Sequence, residues 1–75
     1  MKVKERLNLA IYVPELGENY NAIWKEKDKP QIGDIIIVSN PLYSEISYYA
    51  EILNINKTTE EPRARDFQAY RKEHI

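Results

Sequence analysis

Six tyrosines, one tryptophan and one phenylalanine in 75 residues are the side chains of this sequence with the greatest capacity to hold another molecule. Rings of this kind cover much area at little rotamer cost, which is why they concentrate at interface hot spots. Tyr48 and Tyr49 are adjacent, so in a strand they leave opposite faces of the sheet, and Tyr12 falls on the polar parity of its segment. At least two tyrosines are therefore expected at the surface. Tyr12, Trp24, Tyr43 and Tyr48, together with Arg63, Arg65, Phe67, Tyr70 and Arg71 near the C-terminus, form the candidate contact surface for a partner protein.

The cations offer a second chemistry. Lys2, Lys4 and Arg6 share one parity that leads on to Asn8 and Tyr12, and Arg63, Arg65 and Arg71 are three of the four arginines. Cations on phosphates with a ring beneath a base is how small barrels hold single-stranded nucleic acid. Glu60, Glu61, Asp66 and Glu73 are interspersed among the C-terminal arginines, which favours pairing along a helix surface or a protein partner over a phosphate track. Nucleic-acid binding through Lys2, Lys4, Arg6, Arg63, Arg65 and Arg71 stands as the alternative.

Catalysis finds little to work with. The single histidine, His74, is penultimate, and no serine or carboxylate is matched to it. There is no cysteine and no paired carboxylate spacing suited to a metal, and Asp34 is best placed to cap the turn at Gly33. The expectation is a protein that is not an enzyme and needs no cofactor or metal.

Size and charge narrow the field further. A chain of 75 residues makes one domain over 1–75 and encloses too little core to wrap a substrate. Eleven basic and twelve acidic side chains nearly cancel, so any charge-based function must be local. The charged start is not followed by an apolar signal region, and the longest charge-free stretch, 35–44, is too short to cross a bilayer. A cytoplasmic protein with no membrane association is expected. Richness in Ile, Asn, Lys and Tyr suits an AT-rich genome, such as those of low-GC Gram-positive bacteria and their phages, whose accessory proteins are of this size.

The elements that must position these residues are mostly strands. Over 3–13 the odd positions read Val3, Glu5, Leu7, Leu9, Ile11 and Val13, a period of two with the odd face buried, ended by Pro14. Turn chemistry fills 14–21, and a second strand is expected over 20–26. The alternating charges of 25–29 read as the solvated tip of a hairpin closing at Pro30. Gly33, at positive φ, then leads into Ile35, Ile36, Ile37 and Val38, apolar on both faces and thus a central strand. After a turn at Asn40 and Pro41, a fourth strand over 46–55 is apolar on both parities, which calls for a β-bulge near Glu51 or a change of sheet. Thr58 or Thr59 is placed to cap a helix over 59–75, with Glu60, Glu61 and Pro62 in its first turn and Phe67, Tyr70 and His74 on one stripe.

Four to five strands over 3–56 followed by a short C-terminal α-helix describe a mostly β fold, a small antiparallel barrel or curved sheet. In length and in the Gly33-Asp34 turn before a central strand it resembles SH3-like barrels. The function expected of such a chain is a protein-binding regulatory module that inhibits a larger host or cellular protein, as phage and mobile-element products do. Self-association through exposed rings into a homodimer is a further possibility.

Overall fold

The computed structural model describes residues 5–40, 42, 45–61, 63 and 65–72. Its five strands are β1 (Arg6–Val13), β2 (Glu18–Trp24), β3 (Ile35–Ser39), β4 (Ser47–Thr58) and β5 (Phe67–Arg71), closed into a barrel in the order β1-β2-β5-β3-β4. A mostly β, barrel-forming chain is thus what the sequence pattern implied. Closure removes the exposed edges that a strand as apolar as β3 would otherwise present.

Period two decides the interior. Leu9, Ile11 and Val13 of β1, Ala22 and Trp24 of β2, Ile36 and Val38 of β3, Ala50 and Ile52 of β4, and Ala69 of β5 form the buried cluster. Tyr12 faces outward between Ile11 and Val13, and Tyr49 outward between the inward Tyr48 and Ala50, as strand alternation requires. In β4 the alternation changes phase: Ile11 pairs with Ile52 but Ala10 pairs with Asn54, so Leu53 is the extra residue of a bulge. That bulge, two residues beyond Glu51, is what lets both Ile52 and Ile55 turn inward.

Two expectations are overturned. The C-terminal segment is not a helix over 59–75: residues 67–71 are strand β5, and the described residues contain no α-helix. Phe67 and Tyr70 stand at a helical spacing, yet Ala69 is fully buried while its neighbours Gln68 and Tyr70 are half-buried. The barrel leaves a vacant position between β2 and β3, and the burial gained by filling it outweighs a modest helix propensity. The second correction follows from the first. Because β5 lies between them, β2 and β3 do not form a hairpin, and residues 25–34 instead cross one end of the barrel.

β5 is antiparallel to β3 but parallel to β2, with Ala22, Ile23 and Trp24 opposite Phe67, Gln68 and Ala69. It shares its manner of entry with β3. Before β3, Asp34 Oδ2 accepts the Gln31 amide while its own amide donates to the Gln31 carbonyl; before β5, Asp66 does the same with Arg63. The sequence expectation that Asp34 caps its turn is met in this way. Gly33 has φ 94° and Gly17 φ 69°, the left-handed region that glycine occupies at little cost.

Candidate functional site

Strand direction sorts the chemistry to the two ends of the barrel. Tyr20 near the start of β2, Tyr48 near the start of β4 and Phe67 at the start of β5 reach one end together. Phe67 stands at the centre: its ring meets Tyr20 edge-on at 5.2 Å and 87°, and Tyr48 at 6.3 Å and 81°. Edge-to-face contacts of this kind add ~0.5–1.5 kcal/mol beyond area burial, so the three rings hold one another in place.

Around these rings Leu16 from the β1–β2 turn, Ile46 before β4, Asn40 after β3 and Arg65 before β5 complete an apolar depression of about 250 Å³. Asn40 is its fixed point. It is buried, its amide donates to the Asp66 carbonyl and its Oδ1 accepts from the Leu42 amide, joining the β3–β4 connection to the turn before β5. Leu16 and Ile46 on its rim are 39% and 56% exposed, and Leu42, whose amide Asn40 holds, is 71% exposed. Arg65 is exposed beside this rim and makes no ion pair among the described residues. The depression is smaller than the ~300–1,000 Å³ of small-molecule sites, and it presents rings, aliphatic groups and one cation.

The Tyr20 hydroxyl donates to Glu18 Oε2 at 3.0 Å. That bond, then partial burial and the nearby negative charge of Glu18, hold the phenol above the ordinary tyrosine value. The neutral phenol is therefore favoured in the fold, a contribution present below the ordinary tyrosine titration and lost as pH rises through the folded value. Ultraviolet titration should reveal one phenol ionising later than an ordinary tyrosine. Glu18→Gln should return it toward the common range, and a titration unaltered by that substitution would separate Tyr20 from Glu18.

The opposite end is closed by a clasp. Trp24, nearly buried, donates its indole N–H to the Asp28 carbonyl at 2.6 Å, and the Arg71 guanidinium sits 5.2 Å from its ring centroid. Arg71 donates to Asp28 Oδ2 at 2.7 Å, to Asp34 Oδ2 at 3.3 Å and to the Lys29 carbonyl at 2.9 Å. Its pairings with Asp28 and Asp34 are the only salt bridges among the described residues.

The sequence-derived candidates therefore separate. Tyr48, Arg65 and Phe67 meet at the aromatic mouth; Trp24 and Arg71 are engaged in the clasp. Tyr12 lies on the outer wall opposite Glu51, and Tyr70 opposite Ile37 with its hydroxyl donating to Gln68 Oε1 at 2.8 Å. Arg63 is exposed in the turn before β5, and Arg6 donates to the Glu60 carbonyl at the far end of β1. Lys2, Lys4, Tyr43 and His74 lie outside the described residues. Tyr20, Leu16 and Ile46 join the mouth without having been singled out; the parity that Tyr20 shares with Ala22 and Trp24 was the available signal.

Among the described residues no group of three or more acidic or histidine side chains could hold a metal ion, and no helix is long and apolar enough to cross a membrane. No protein-family model, curated protein or solved structure matches this chain.

Proposed function

We propose that this protein is a small non-enzymatic binding module that docks on a larger protein through the aromatic mouth and acts by occluding the surface it covers. The carrying observation is the exposed apolar rim of Leu16 and Ile46 around the interlocked Tyr20, Tyr48 and Phe67 rings. A rigid aromatic floor with exposed aliphatic edges is the composition of an interface centre, and Arg65 at its margin favours a partner whose apolar anchor is flanked by a carboxylate.

The test uses exposed rim positions, so that the fold survives. A nuclease-treated pull-down with the wild-type chain is expected to retain one protein in stoichiometric amount. Ile46→Glu should weaken that capture by about 30-fold, the equivalent of ~2 kcal/mol at a hot spot, with an unchanged circular dichroism spectrum. Capture that is indifferent to Ile46→Glu would remove the mouth from the interface. Concentration-dependent sedimentation of the wild type, abolished by Ile46→Glu, would replace the partner protein with a second copy of the chain.

A further inference from the structure

The loop between β2 and β3 alternates charge as Lys25-Glu26-Lys27-Asp28-Lys29, yet the fold does not treat its two signs alike. Both acids point to the end of β5. Glu26 Oε2 accepts the Arg71 backbone amide at 3.1 Å, and Asp28 Oδ2 takes the Arg71 Nε at 2.7 Å. The three lysines line an open groove of about 690 Å³ together with Arg6 from β1 and Lys57 from β4. None of these five cations is in a salt bridge among the described residues. The carboxylates on the same lining are Glu5, Glu26 and Asp28, of which Asp28 is neutralised by Arg71. A chain of net charge −1 thus gathers a positive field at one end, where the walls of the groove focus it.

We infer that this groove is a second docking site, distinct from the mouth at the other end of the barrel, and that it receives an acidic segment of a partner protein. Five cations around it complement carboxylates, and the half-buried Leu7 on the same lining gives an apolar side chain of that segment a place to rest. Nucleic acid fits less well. The tryptophan of the lining is 7% exposed and lies against Arg71, leaving no free indole to stack on a base, and Glu5 and Glu26 interrupt a phosphate track.

Fluorescence anisotropy tests this with a labelled peptide of alternating Glu and Leu and a labelled oligothymidylate. The peptide should bind the wild type, and bind at least about tenfold more weakly on going from ~50 to ~300 mM salt, which shortens the screening length. The combined Lys25→Glu, Lys27→Glu and Lys29→Glu substitutions, all at exposed positions, should abolish binding with the circular dichroism spectrum unchanged. Arg71→Gln, which removes no cation from the groove lining but releases the Asp28 carboxylate that the guanidinium neutralises, should also weaken it. Ile46→Glu should leave it unaltered, which separates this site from the mouth. No peptide binding by the wild type, or binding indifferent to the triple substitution, would overturn the inference. Tighter binding of the oligonucleotide than of the peptide would overturn it in favour of a phosphate ligand.

Discussion

Arg71→Ala is expected to cost about 2–3 kcal/mol of folding stability, the upper part of the usual range for one substitution outside the core. The side chain makes three directed bonds from one guanidinium, to Asp28, Asp34 and the Lys29 carbonyl, and covers the Trp24 ring. The ion pairs alone would not reach that figure. The Asp28 side chain is 58% exposed, so water screens it, and a pair of this kind contributes ~0–1 kcal/mol. The remainder comes from the carbonyl bond, at ~1 kcal/mol, and from the cation over the indole, at ~0.5–1 kcal/mol. Arg71→Lys keeps the charge but cannot reach in three directions, so it should recover only a minor part. Arg71 is held charged first by its hydrogen bond to Asp28, against partial desolvation, and then by the nearby charges of Asp28 and Asp34. With its folded value raised, its contribution is complete below the ordinary arginine value and falls only as pH rises through the folded one, so the difference between wild type and variant should be flat across neutral pH. Urea unfolding measures the shift, and hydrogen exchange locates it. The Lys25 amide bond to the Ala69 carbonyl and the three-pair β2–β5 ladder should lose protection before the β1–β4 ladder does. A loss below ~0.5 kcal/mol with an unchanged exchange pattern would show that the clasp carries no stability.

Why that clasp escaped sequence reading is a matter of distance along the chain. Trp24 and Arg71 meet only because β5 inserts parallel to β2, and nothing local in either segment signals a parallel partner. Strand β1 was legible because it writes its burial in period two, β3 because a run of β-branched residues follows a glycine turn, and in β4 the change of parity even located the bulge to within two residues. Residues 67–71 wrote an ambiguous pattern. Phe67 and Tyr70 fit a helical stripe, and the decisive residue, Ala69, is too small to mark a core face by type alone. Charge alternation in 25–29 likewise predicts solvation, but not that one distant arginine would draw both carboxylates to the same side. At the mouth, Tyr48 and Tyr49 were separable by parity, whereas Tyr20 depended on a second strand whose start was placed two residues late.

The barrel interior has no covalent or metal staple to support it, since the chain has no cysteine and no metal-binding group among its described residues. Stability must then rest on close-packed aliphatic side chains, and Ile52→Ala is the sharpest way to test this. Ile52 is fully buried and pairs across β1 with Ile11, also fully buried. Its amide donates to the Asp34 carbonyl and its own carbonyl accepts from Gly33, so the backbone stays anchored when the side chain is cut back. The surroundings can therefore collapse little, and the substitution should fall in the middle of the ~2–5 kcal/mol range for such truncations. At ~0.05–0.15 kcal/mol per residue, a domain of this size has a total stability of about 4–11 kcal/mol, so a loss of ~3 kcal/mol removes between about a quarter and three quarters of it. With ~4–8 °C lost per kcal/mol, the thermal midpoint should fall by more than about 12 °C, read by circular dichroism. The control is Leu42→Ala, at a side chain 71% exposed, which should move the midpoint by no more than about 2 °C. Equal, small shifts for both variants would mean that the barrel is held by its ladders and its clasp rather than by its filling. A large shift for Ile52 alone would place the main source of stability in the packed interior rather than in the exposed side chains of the mouth.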